Sequence, residues 1–200
     1  MKTNFTLPIN PRYGVPAISW SDVIAIESNA ERWLAGGAKI DNDATRFGTF
    51  VHAQIKHGKI KGVPSCEYKE KVLTATVKYG RKSFLAVGTP DSYDENYLNE
   101  YKSAKVLWSR KKAEEHGQIF AYAWLIWKNH GWYPKTARLV SLETAEDYDA
   151  GVYLTGNMRT IEFPIRFAEL LKIQARFAKA FEKISTLAGR CENEKIIKNK

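Results

Sequence analysis

The sequence predicts a single mixed α/β domain. Its apolar periodicity switches between about 3.6 and 2 along the chain, the segments follow the order helix, helix, three strands, helix, strands, helix, and 200 residues at 44% hydrophobic content can bury one sizeable core. Two separate cores would need more chain, and neither an internal repeat nor a low-complexity linker divides it. The expected organisation is an extended arm rich in Pro and Asn over residues 1–18, one domain over 19–189, and a basic, polar tail over 190–200 that frays after Gly189.

Ser19 and Ser21 offer N-caps to a first helix, which carries Val23, Ile24, Ile26, Trp33 and Leu34 and ends near Gly36 and Gly37. A second helix starts at Asp43 and stops near Gly58. Phe47, Phe50, Val51 and Ile55 give it an apolar side, and His52 lies on its middle turn. From residue 66 to 93 β-branched and aromatic residues take over, predicting a strand over 67–79, a turn at Gly80 and Arg81, and a strand over 83–92. After the polar turn Asp94, Glu95, Asn96 comes a strand over 97–103. Residues 109–130 read as one long helix with Ala113, Ile119, Phe120, Ala123, Trp124 and Trp127 available to the core and Gly131 closing it. Two short strands over 138–142 and 159–163 precede a last helix over 165–187 that repeats Phe167, Leu170, Leu171, Phe177, Phe181 and Ile184 on one side.

The 31 Lys and Arg against 22 Asp and Glu leave a net charge of +9, which favours capture of a polyanion and makes nucleic acid the natural partner. Two cysteines, Cys66 and Cys191, build neither a secreted-type disulfide framework nor a four-thiolate zinc or iron-sulfur centre. The expectation is reduced thiols in a soluble, cytoplasmic protein, since no signal-like segment opens the chain and no run of about 18 apolar residues offers a membrane span.

The informative stretch is Gly88-Thr89-Pro90-Asp91 followed by Glu100-Tyr101-Lys102. Residues two apart in a strand share a face, so Glu100 and Lys102 project together, and a short hairpin return lays Asp91 beside Glu100. Two carboxylates and an amine then converge, a corner suited to magnesium, which is held by one or two protein carboxylates plus substrate phosphate. Lys102 stands where an attacking water needs orienting or deprotonating, or where phosphate charge needs offsetting. The competing reading, an exposed strand ion pair worth about 0.2–1 kcal/mol, is weighed against the company the motif keeps: Gly48 and His52 upstream, and Gln118 and Tyr122 one helical turn apart downstream.

In that order the four elements resemble the RecB-like and lambda-exonuclease-like branch of the PD-(D/E)XK nucleases: a Gly-x-x-x-His helix, a Gly-x-x-Asp strand, a Glu-x-Lys strand and a Gln-x-x-x-Tyr helix. The resemblance spans roughly residues 19–130, and ordered co-occurrence is more specific than any single element. It implies a restriction-endonuclease-like fold, a central mixed β-sheet flanked by helices, and phosphodiester hydrolysis leaving 5′-phosphates. It further implies that His52, Asp91, Glu100 and the Tyr101 backbone carbonyl hold Mg2+, with Mn2+ able to substitute, and that Lys102 orients the water. Gln118 and Tyr122 would contact the DNA backbone or brace the site. The iron-sulfur cluster of some relatives needs four cysteines, so none is expected here.

Arg110, Lys111 and Lys112 follow the catalytic strand and are candidates to line a DNA groove, as are Arg81, Lys82 and Lys105; Trp108 is read either as a base-stacking ring or as a core residue. The leading function is a DNA exonuclease of recombination, repair, or phage and mobile-element DNA processing. The alternatives are a structure- or site-specific endonuclease with the same metal corner and an inactive DNA-binding or scaffold module. No nucleotide-binding loop is present, so unwinding would come from a helicase, annealing protein or other recombination partner, and a homo-oligomer would favour processive digestion.

Overall fold

A computed structural model describes residues 12–14, 16–34, 43–69, 71–80, 82–149 and 151–198, with the side chains of 44, 82 and 188–198 excepted. Most of the expected 1–18 arm therefore lies outside the described residues, as do Gly36, Gly37 and Arg81. Thirteen elements follow along the described chain: β1 (Ala17–Ser19), α1 (Trp20–Leu34), α2 (Asp43–Lys56), β2 (Tyr68–Lys69), β3 (Leu73–Tyr79), β4 (Lys82–Gly88), β5 (Ser92–Tyr93), β6 (Tyr97–Ala104), α3 (Arg110–His116), α4 (Gln118–His130), β7 (Thr136–Asp147), β8 (Gly151–Pro164) and α5 (Phe167–Lys198).

The mixed α/β class holds, with the strands in two sheets: a three-stranded sheet ordered β1-β4-β3 and a five-stranded sheet ordered β2-β5-β6-β7-β8. Both are mixed, since β1 runs parallel to β4 and β6 parallel to β7 while the other neighbours are antiparallel. The strand expected over 67–79 divides into β2 and β3 in different sheets, and the one over 83–92 into β4 and β5. Pro90, with no N–H to give a ladder, lies in the crossing between them. Asp91 thus stands where the chain passes from one sheet to the other. The strands over 138–142 and 159–163 are the middle of a much longer hairpin, β7 with β8.

Ser19 caps α1 as expected, and reciprocally: the Asp22 N–H donates to Ser19 Oγ at 3.3 Å while the Ser19 N–H donates to Asp22 Oδ2 at 2.8 Å. The expected 109–130 helix is instead two helices, because Gly117 adopts φ +74° and ends one while starting the other. Trp20 fills the joint. Its indole N–H donates to the His116 carbonyl at 2.9 Å, and a Cβ on Gly117 would stand 2.6 Å from Trp20 Cζ2. Gly117→Ala should therefore cost about 2–4 kcal/mol from left-handed backbone strain and overpacking together, read as a lower urea midpoint. A midpoint equal to wild type would show that the joint relaxes freely.

One face of the five-stranded sheet and the three-stranded sheet pack with α1, α4 and α5 in the main core around Trp124, Phe84 and Phe177. The opposite face of β6 and β7 carries a smaller core, Val51, Tyr101, Val140 and Leu142, beneath α2. The last helix runs past Gly189 to Lys198, further than the apolar repeat alone marks it. Among the described residues no helix is long and apolar enough to cross a membrane.

Candidate active site

Strand periodicity sets the site. Glu100 and Lys102 share the face of β6 turned towards α4, while Tyr101, between them, packs under α2. The β5–β6 hairpin pairs Ser92 with Asn99 and Tyr93 with Leu98, so its register, carried one step further, sets Asp91 opposite Glu100. Asp94 makes the return tight by accepting the Asn96 and Tyr97 N–H groups, each at 2.8 Å.

Asp91 Oδ2 accepts the Tyr101 N–H at 2.7 Å, and Asp91 Oδ1 lies 3.1 Å from His52 Nδ1. The other ring nitrogen of His52 lies 3.1 Å from the Tyr101 carbonyl. On the α4 side, Lys102 Nζ stands 2.6 Å from Glu100 Oε1 and donates to Gln118 Oε1 at 2.8 Å, while Gln118 Nε2 donates to the Tyr122 hydroxyl at 2.7 Å. The structure thus brings together His52, Asp91, Glu100, Tyr101, Lys102, Gln118 and Tyr122 around one open cleft of about 720 Å³ between α2 and α4.

The two motif glycines earn their places by close approach. A Cβ on Gly48 would meet Ser103 Oγ at 3.4 Å, where α2 crosses β6, and one on Gly88 would stand 2.7 Å from Leu125 Cδ1 and 2.9 Å from the Tyr122 ring.

Glu100 is 2% exposed, and its Oε2 is buried without a hydrogen-bond partner. Burial, reinforced by the Asp91 charge, raises its carboxyl above the usual range against the pull of Lys102. His52 is also raised, first by its hydrogen bond to Asp91, with the charges of Asp91 and Glu100 adding to it and burial opposing. The Tyr122 phenol is pushed up by burial and by Glu100.

These shifts fix a sign. An acid whose folded pKa is raised binds more protons folded than unfolded, so Glu100 costs stability as pH rises from its ordinary 4.5 through the raised value. His52 contributes stability that is fully present below 6.5 and is lost as pH rises through its own raised value. In chelator, Glu100→Gln should therefore melt progressively higher than wild type as pH increases above 4.5. Thermal melts in which the two proteins stay parallel from pH 4.5 to 8 would contradict the burial cost assigned to Glu100.

The chemistry of the donors bears on a metal. Among the described residues no three His, Cys, Asp or Glu side chains are grouped to hold an ion by themselves. The oxygens present are two carboxylates and a backbone carbonyl, one carboxylate oxygen being buried and unpartnered. That set fits Mg2+, which completes its shell with water and phosphate, better than a metal needing an all-protein cage.

Tyr101 is anchored from behind. Its hydroxyl donates to the Pro64 carbonyl at 2.7 Å and lies 3.1 Å from Ser92 Oγ, which accepts from buried Asn99 at 2.9 Å. Asn99 also donates to Cys66 Sγ at 2.9 Å; burial pushes that thiol up to about 11, so it is an inert packing group.

The basic cluster does not join the cleft. Arg110 pairs with Glu114 at 3.0 Å, Lys111 reaches Glu115 at 3.9 Å, and Lys112 sits over the Trp108 ring at 4.3 Å. Trp108 is 8% exposed and belongs to the core, so of its two readings the packing one is right. Lys105 pairs with Glu146 at 2.6 Å. The sequence reading missed the lysines that do flank the site, Lys56 on α2 and Lys69 at the end of β2. Lys56 follows His52 by one helical turn, a spacing that marks the same helix face.

No family model matches the chain, and no curated protein does. Solved structures do match. The protein SSO0001 shares 14% identity over 86% of this chain and 76% of its own, with a TM-score of 0.55. A candidate exonuclease from Eubacterium rectale shares 10% over 86% and 81%, with a TM-score of 0.54. A phage-related exonuclease from Haemophilus somnus shares 18% over 86% and 82%, with a TM-score of 0.51. The chain has their fold, and the resemblance drawn from four short motifs extends to the architecture.

Proposed function

We propose that this chain is a magnesium-dependent deoxyribonuclease, an exonuclease that hydrolyses phosphodiester bonds to leave 5′-phosphates in recombination, repair, or phage and mobile-element DNA processing. The observation that carries the reading is the Asp91, Glu100, Lys102 corner: two carboxylates from facing strands and an amine, with a buried, unpartnered Glu100 oxygen, at an open cleft.

Asp91, Glu100 and the Tyr101 carbonyl would hold Mg2+; His52, whose ring nitrogens lie against Asp91 and the Tyr101 carbonyl, would have to give up one of those contacts to join them as a further ligand from α2. Bound there, the ion supplies Lewis-acid polarisation of the phosphate and of a neighbouring water, and Mn2+ should serve as well. Lys102, placed by Glu100 on one side and Gln118 on the other, orients the attacking water or offsets phosphate charge. Water oxygen bonds to phosphorus as the P–O3′ bond breaks. Gln118 has its amide orientation fixed by giving its N–H to Tyr122, so Tyr122 braces the amine through it. Lys56 and Lys69 put positive charge where the phosphate backbone must pass.

The test is digestion of end-labelled linear duplex, single-stranded and closed circular DNA by wild type and Lys102→Ala, with Mg2+, Mn2+ or chelator. Metal-dependent loss of linear DNA alone, by wild type alone, is the expected result. Loss of circles too would make the enzyme an endonuclease, and binding without cleavage under either metal would make the chain an inactive DNA-binding module.

A further inference from the structure

A second recess, of about 240 Å³, opens between the start of α1, the residues before β3 and the end of β4. It shares Thr89, Gln118 and Tyr122 with the catalytic cleft, whereas His52, Asp91, Glu100 and Lys102 line the cleft alone. The braced Gln118–Tyr122 pair is therefore a wall between two chambers, and whatever fills the smaller one lies next to the group held in the larger.

The lining decides the chemistry of the occupant. Among the described residues no Lys, Arg, His, Asp or Glu lines it, and Arg12 lies over the Tyr13 ring at 5.6 Å from its centroid, so the lining itself offers a phosphate no counter-charge. It is lined instead by the aromatic residues Tyr13 and Trp20 and the aliphatic Val72 and Val87, together with the hydroxyl-bearing Ser21 and Thr89. Among the described residues neither of those hydroxyls has a hydrogen-bond partner, and Gln118 keeps one amide hydrogen beyond the one it gives Tyr122. Apolar side chains with a few unpaired donors and acceptors among them suit a flat, neutral, polar-edged heterocycle. The volume, below the roughly 300–1,000 Å³ of sites for drug-sized ligands, suits one such ring and not an oligonucleotide.

We propose that this recess receives the base of the nucleotide adjoining the scissile phosphate. The position relative to the phosphate rests on the nuclease reading above; the affinity for a base rests on the recess alone. A base can enter only after leaving its stack, so cleavage should prefer nucleotides already unpaired.

Two readouts test it with Val72→Trp, which fills the recess from a half-buried position outside the catalytic set, and Tyr13→Ala, which removes the stacking ring. The first is binding of a free nucleoside, deoxyadenosine, followed by saturation-transfer NMR with inorganic phosphate as the control. Wild type should bind the nucleoside, and each variant should weaken it by about tenfold or more, the scale of one lost base stack. The second is cleavage of oligonucleotides carrying one abasic residue beside the scissile bond. Wild type should cut the abasic position about tenfold more slowly, and Val72→Trp should erase that difference while cutting the abasic substrate at the wild-type rate. Nucleoside binding that is absent, or indifferent to both variants, overturns the proposal, as does displacement of the nucleoside by phosphate alone. Nucleoside binding sensitive to Val72→Trp, with no cleavage of any DNA under Mg2+ or Mn2+, would retain the base site and remove the nuclease reading.

Discussion

Lys102→Ala and Glu100→Gln should each slow DNA cleavage by a factor on the order of 10²–10³ or more, the scale on which removal of one preorganised electrostatic group acts. The two should fail differently. Glu100→Gln removes a charge from the buried oxygen pair that would face the ion, so Mn2+ binding should weaken along with turnover. Lys102→Ala leaves both carboxylates and should spare ion and DNA binding while turnover is lost. It also leaves Glu100 in its buried place without the amine that stands 2.6 Å from Oε1, so this variant should be the less stable of the two in chelator and should gain more from added metal. Asp91→Ala should abolish cleavage while DNA binding is kept or tightened, because a carboxylate that repels phosphate is gone. Single-turnover cleavage beside Mn2+ titration separates these cases. Cleavage by Lys102→Ala at the wild-type rate would remove the amine from the mechanism, and normal cutting by Asp91→Ala would remove the metal site.

What the sequence disclosed and what it hid divide by the range of the interactions involved. The period-two face of Glu100 and Lys102, the Ser19 cap and the amphipathic α2 are local properties, and each stands in the structure where the residue pattern places it. The Asp91–Glu100 approach was legible because a short hairpin makes it nearly local. The parallel pairing of β1 with β4 leaves no signature in residues 17–19, since the partner lies far along the chain. The 109–130 pattern reads as one helix straight through Gly117; only the packing of Trp20 against the joint makes its left-handed backbone necessary. Arg110, Lys111 and Lys112 follow β6 closely in sequence, yet α3 turns them onto its own glutamates and Trp108. Proximity along the chain does not place them in the cleft, whereas helical spacing from His52 would have found Lys56.

Gly88→Ala should cost about 1–3 kcal/mol of stability and, in addition, about 10²-fold in turnover, although residue 88 is absent from the proposed chemistry. The added methyl would stand 2.7 Å from Leu125 Cδ1 and 2.9 and 3.0 Å from two carbons of the Tyr122 ring. Leu125 can yield, being the flexible end of an aliphatic side chain. Tyr122 cannot yield without consequence, because its hydroxyl holds the Gln118 amide and Gln118 holds Lys102. A shift of the ring is thus passed through two hydrogen bonds to the amine, and displacement on the scale of an ångström is what misplaced catalytic groups are most sensitive to. A double-mutant cycle distinguishes this relay from plain overpacking. Tyr122→Phe frees the ring from Gln118 while leaving the steric contact in place, so adding Gly88→Ala to it should lower stability as before yet cost little further turnover. If the two losses of turnover instead multiply independently, Gly88 acts on the site by some route other than Tyr122.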